Sequence, residues 1–196
     1  MGMVEIADPQ GFLPMALDRE TAHRLAIDHF VGVLSGMDAQ APFGRFMLDH
    51  GSYHEAAPKP PRLKSLMPTR CYSNAQSAVV RAVSAGRKPL TYAEGYACPS
   101  TLPYPVQHAW LVDDEGRVVD QTWSFPEEST YFGVLFTTDY VIETATKYRH
   151  KYNSLLDDRR DRWALLNDPA IAERAVTPPG NRFQGDRPVL VMGRPA

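Results

Sequence analysis

The 196-residue chain has only two cysteines, Cys71 and Cys98. That is too few for a disulfide scaffold, so the fold must rest on an ordinary hydrophobic core, and a reducing, cytoplasmic setting is expected. No stretch approaches the roughly 18 consecutive apolar residues of a membrane-spanning helix, so no membrane partner is expected. An excess of one charge sign is also missing. A formal net charge of −2 provides no general attraction to nucleic acid or to an anionic surface. The first residues carry Glu5, Asp8 and Pro9 without a basic segment leading into an apolar one, so a secretory signal is not expected. There is no internal repeat and no low-complexity stretch. Cys71, Cys98, His108 and Asp120 are zinc-ligand types, but they lack close paired spacing, and Gly51 interrupts the His50/His54 pair. Neither a metal site nor a cofactor is expected.

What is present suits one α+β domain over residues 1–176, with 177–196 as a C-terminal tail or edge strand around Pro188–Met192. Residues 1–17 are broken by Pro9, Gly11 and Pro14. Asp18 then stands as N-cap of a helix carrying Ala22, Ala26, Phe30, Val33 and Met37 at helical spacing, with Gly36 near its end. Residues 38–62 read as a long loop or short-helix region. Pro68 and Thr69 open a second helix, whose small and apolar residues Ala75, Ala78, Val79, Ala82 and Val83 run to Gly86. Strands are predicted over 90–97, 106–112, 117–123 and 131–136, with a turn at 113–116. Tyr148, Tyr152, Leu155, Leu156, Trp163 and Leu166 fit one face of a long helix.

Three residues suggest chemistry. Cys71 falls in the first turn of the second helix, where unpaired N–H groups and the positive end of the helix dipole favour a thiolate. A free thiol ionises near pH ~8.5, so this help matters at neutral pH, and Arg70 adds positive potential. His108 and Asp120 lie on the two strands of a hairpin. If Gly116 takes the left-handed position of a three-residue loop, Asp113 pairs with Arg117, Trp110 opposes Asp120 and His108 opposes Thr122. Alternation then puts His108, Trp110, Asp120 and Thr122 on one face, with His108 and Asp120 as diagonal neighbours. A slip of one residue would separate them. The set reads as nucleophile, general base and orienting acid.

Cys71 at a helix start, His108-Ala109-Trp110 on one strand and Asp120-Gln121-Thr122-Trp123 on the next resemble the transglutaminase-like branch of the papain-like cysteine superfamily. The similarity spans roughly residues 65–136. It implies a nucleophile helix packed on an antiparallel sheet, with Cys71 as nucleophile, His108 as base and Asp120 as orienting residue. Many relatives have proline where this chain has Gln121. No residue upstream of Cys71 is an evident oxyanion partner, although Tyr53 and His54 lie on the long loop before it.

The expected activity is therefore thiol-dependent acyl transfer. The substrate would be a peptide, isopeptide or side-chain amide, hydrolysed through a thioester without a cofactor. Tyr72, Asn74 and Trp110 are the candidate substrate contacts: Tyr72 through its backbone N–H at the oxyanion, Asn74 one turn along the helix, and Trp110 beside the base. An aromatic on a strand face ordinarily serves burial, which is the simpler account of Trp110. Cys98 and Glu94 read as structural. The competing expectation is a catalytically silent module of the same fold that binds a protein partner. Nothing in the sequence indicates the oligomeric state.

Overall fold

A computed structural model describes residues 17–37, 42–61 and 63–178. The N-terminal stretch and the expected strand Pro188–Met192 lie outside these residues. Helix α1 (Arg19–Gly36) starts where expected, with the Asp18 carboxylate accepting from Thr21 N at 2.9 Å. The stretch expected to be loop or short helix holds α2 (Phe43–His50) and β1 (Ser52–His54). All three residues of β1 are buried, so alternation could not reveal it. Helix α3 (Cys71–Ser84) begins at Cys71 itself and stops before Gly86, which takes a φ of 65°.

Strands β2 (Thr91–Cys98), β3 (Val106–Val112), β4 (Val118–Val119) and β5 (Thr130–Phe136) join β1 in one antiparallel sheet of order β1-β5-β2-β3-β4. Its two edges meet. Glu55, just past β1, bridges Arg117, just before β4, and Val118 N donates to Glu55 O at 2.8 Å. The sheet thus curls on itself, which removes exposed strand edges at that end. One face packs against the helices through Tyr92, Tyr96, Leu111, Phe132 and Val134, with α3 lying on β2 and β3. The other face encloses a second core of Ala93, Ala97, Trp110, Val112, Val118, Tyr131 and Leu135, to which no helix among the described residues contributes. The cross-strand pair Gly95 and Gly133 makes this curl possible. A Cβ on Gly133 would stand 2.6 Å from the Trp110 ring, and one on Gly95 would stand 2.3 Å from Phe132 O.

The hairpin register matches the expected one: Val112 pairs Val118 and Leu111 pairs Val119. Strand β4 is nevertheless far shorter than the predicted 117–123. Beyond Val119 the Asp120 side chain accepts from Thr122 N at 2.6 Å and from Trp123 N at 3.3 Å, a local turn that replaces the ladder.

The predicted long helix from Tyr148 to Leu166 does not form. Helix α4 (Thr138–Lys147), capped by Thr137, precedes that segment, and among the described residues the short α5 (Ala164–Asn167) at its end and α6 (Pro169–Ala175) come after. Left-handed backbone at Arg149, His150, Arg162 and Trp163 breaks the intervening chain. The buried Glu94 carboxylate captures the N–H groups of Leu155 and Leu156, which a helix would have used. Thr177 N donates to Leu135 O at 2.9 Å, so the last described residues still belong to the sheet edge. Among the described residues no helix is long and apolar enough to cross a membrane.

Candidate active site

Helix α3 has no side-chain cap: Arg70 holds the cap position without such a bond, and the first backbone bond runs from Asn74 N to Arg70 O at 2.8 Å. The N–H groups of Cys71, Tyr72 and Ser73 therefore have no intrahelical acceptor. The half-buried Cys71 thiol sits on this end of the helix dipole.

His108 Nε2 donates to Asp120 Oδ2 at 2.8 Å, with 3% and 1% of the two side chains exposed. This bond leaves Nδ1 as the ring nitrogen for the thiol. Burial pulls the imidazole pKa down, but Asp120 and Cys71 outweigh it, each acting as hydrogen-bond partner and as charge, and His108 is pushed up to about 9. For Asp120 burial acts upward, yet the imidazole and the two backbone N–H groups bring its carboxyl below the ordinary value. The structure thus brings Cys71, His108 and Asp120 to one place.

The imidazole is sandwiched. Trp123 stacks on it at 3.9 Å between ring centroids and 8° between planes, and Trp110 lies 6.0 Å away. Asp120 takes a further bond from Tyr131, whose phenol donates to Oδ2 at 3.1 Å. Tyr131 escaped sequence reasoning because it comes from β5, which reaches the site only through the non-local order β5-β2-β3.

The three expected substrate contacts are placed differently from one another. Tyr72 is partly exposed beside the thiol, and its phenol interacts with Ser154. Asn74 is buried and donates to Met67 O and Thr122 Oγ1, both at 3.0 Å, bracing the loop before α3 against the loop after Asp120. Trp110 is 1% exposed and donates to His54 Nδ1 at 3.0 Å. Asn74 and Trp110 offer no surface to a substrate in this conformation, because sheet closure and the brace enclose both. Tyr53 turns toward α1, donating to Asp28 Oδ1 at 2.6 Å, and so stands away from the oxyanion position. His54 faces the inner core, where burial pushes it down to about 3 and keeps it neutral.

Comparison with protein-family models, with curated proteins and with solved structures finds no match for this chain.

Two further features flank the triad. Glu94 is fully buried and accepts from Tyr92, Ser154, Leu155 and Leu156. Burial pushes it up to about 7 against the pull of those bonds. It anchors the segment at Ser154–Leu156, whose Ser154 also interacts with the Tyr72 phenol. Cys98 is buried, and its thiol is pushed up to about 11 by burial, which suits a packing role. A cavity of about 630 Å³ lies elsewhere, between the start of α1, β1 and the turn at Glu115, and includes none of the triad. No cluster of three His, Cys, Asp or Glu side chains among the described residues is arranged to hold a metal ion.

Proposed function

We propose that the chain is a cysteine-dependent acyl-transfer enzyme of papain-like or transglutaminase-like architecture, hydrolysing a peptide, isopeptide or side-chain amide. The observation that carries this reading is the buried His108–Asp120 bond of 2.8 Å, with Cys71 acting on the same imidazole. A carboxylate alone would also satisfy a buried packing histidine; the Cys71 thiol acting on the same imidazole is what favours the catalytic reading.

Proton transfer from Cys71 Sγ to His108 Nδ1 leaves a thiolate beside an imidazolium, which Asp120 stabilises. The sulfur attacks the carbonyl carbon, and the oxygen takes the negative charge. That oxyanion lies near the unpaired N–H groups of the first turn of α3. His108 returns its proton to the departing amine, leaving a thioester on Cys71. A water molecule then gives a proton to His108 and attacks the thioester, and collapse releases the acid with the proton returning to sulfur.

Selective alkylation tests the reading. Iodoacetamide at pH 6, followed by intact-mass measurement, is expected to label Cys71 far faster than an ordinary thiol of similar exposure, and His108→Ala is expected to abolish that acceleration. Slow Cys71 labelling that His108→Ala leaves unchanged would sink the enzyme. A second reading, a silent module binding a protein partner, draws on the burial of His108 and on the large cavity lying away from it. It expects Cys71 to react slowly at pH 6 and at a rate that His108→Ala leaves unchanged.

A further inference from the structure

Asp120 Oδ2 serves two donors. His108 Nε2 reaches it at 2.8 Å and the Tyr131 phenol at 3.1 Å, while Oδ1 takes the N–H groups of Thr122 and Trp123. Tyr131 is fully buried in the inner core, its ring 5.1 Å from Trp110 and 5.6 Å from Trp123, the two indoles that flank the imidazole. A phenol so enclosed must find its partners inside the protein; it interacts with Ser129 as well as Asp120, and its bond falls on the same Oδ2 that holds His108.

We propose that Tyr131 is a positioning residue of the triad, whose phenol aligns Asp120 with His108 and limits how strongly that carboxylate draws a proton onto the ring. This rests on the reading of Cys71, His108 and Asp120 as catalytic machinery. The physical reason is competition. A carboxylate oxygen that already accepts one hydrogen bond carries less available charge for a second donor. A base must both take a proton from the thiol and release it to the leaving amine, so an imidazole held too firmly as imidazolium would release it slowly. The other groups around the pair are Cys71 from α3, His54 from β1 acting through Trp110, and Glu127, whose charge bears on Tyr131 from the turn before β5. His54 is neutral, so the balance lies among the thiol, the carboxylate, the phenol and the Glu127 charge beside it.

The test is an NMR titration of His108 in the intact protein carrying ¹⁵N-labelled histidine, comparing wild type with Tyr131→Phe. Losing the phenol is expected to raise the His108 midpoint by about 0.5–1 pH unit, part of the strength of one hydrogen bond to a charged group. Phenylalanine keeps the ring between the two indoles, so a packing role alone leaves the midpoint where it was, and an unmoved midpoint overturns the proposal. Placing 3-fluorotyrosine at position 131 keeps both shape and hydroxyl, and its more acidic phenol must move the midpoint down. That variant decides the matter if Tyr131→Phe does not fold. Iodoacetamide labelling of the wild type, run in parallel, separates the two ideas. Fast, His108-dependent Cys71 labelling with an unmoved midpoint overturns Tyr131 alone, whereas slow Cys71 labelling that His108→Ala leaves unchanged overturns the catalytic reading and any part Tyr131 has in a reaction.

Discussion

Replacing Asp120 with asparagine should reverse the protonation preference of His108, and the size of the effect follows from the site. In the wild type the imidazole rises from an ordinary 6.5 to about 9, which corresponds to about 3 kcal/mol of preference for the imidazolium. Because the folded value is the higher one, this stabilisation is complete below pH 6.5, declines as the pH climbs and is gone above about 9. In Asp120→Asn the amide oxygen can keep the Thr122 and Trp123 N–H groups, which leaves Nδ2 facing His108 Nε2 and the Tyr131 phenol. Nδ2 donates, so it selects a neutral ring protonated at Nδ1, the nitrogen that must accept the thiol proton. Burial then governs and disfavours the charged ring. Urea unfolding of both proteins between pH 6 and 9.5 should give a stability gap that is widest at pH 6 and narrows by about 3 kcal/mol at the alkaline end. Taking the difference cancels titrations common to both proteins, such as that of Glu94. Selective alkylation of Cys71 should disappear in the same variant. A gap that stays constant across this range refutes the buried ion pair as the source of His108's basicity.

Closure of the sheet can be tested with Gly133→Ala. The new methyl would lie 2.6 Å from the Trp110 ring and 2.7 Å from Glu94 O, so a loss of about 2–3 kcal/mol is expected, read as a lowered Tm by thermal unfolding. A Tm unchanged from wild type contradicts the enclosed Trp110. Glu94→Ala leaves the buried donors of Tyr92, Ser154, Leu155 and Leu156 without their acceptor and should cost about 3–5 kcal/mol. Hydrogen exchange should then show early loss of protection at the Leu155 and Leu156 amides, and retained protection would mean that Glu94 is not the anchor. Glu94 also rises on folding, from 4.5 to about 7, so its contribution is full below pH 4.5 and falls away as the pH passes 7. In Glu94→Gln the corresponding slope of stability with pH should vanish in the same urea titration.

Local features of the chain carried much of the site. The helix start at Cys71 follows from Pro68, Thr69 and the small apolar residues behind them, and the hairpin register follows from Gly116, which takes a φ of 88°. Both depend on neighbours within a few residues, so they were readable without knowing the rest of the fold. The readings that failed involve distant partners. The helical pattern from Tyr148 to Leu166 is real as a pattern, but a carboxylate about 60 positions earlier takes the N–H groups that the helix needs. Asn74 and Trp110 looked like site contacts because they are near Cys71 and His108 in sequence, and the fold commits their polar atoms to Thr122, Met67 and His54.

By itself the sequence determined the α+β class, the position of Cys71 on a helix dipole and the register that puts His108 beside Asp120. Each is set by short-range geometry: helix capping, turn handedness and the two-residue period of a strand. Tertiary structure alone decided that the sheet curls until its edges meet, that the inner face becomes a second core, and that Tyr131 and Trp123 close around the imidazole. Burial is what makes those contacts matter. Excluding water strengthens a carboxylate–imidazole bond and fixes its proton, and burial depends on the packing of elements far apart in the chain.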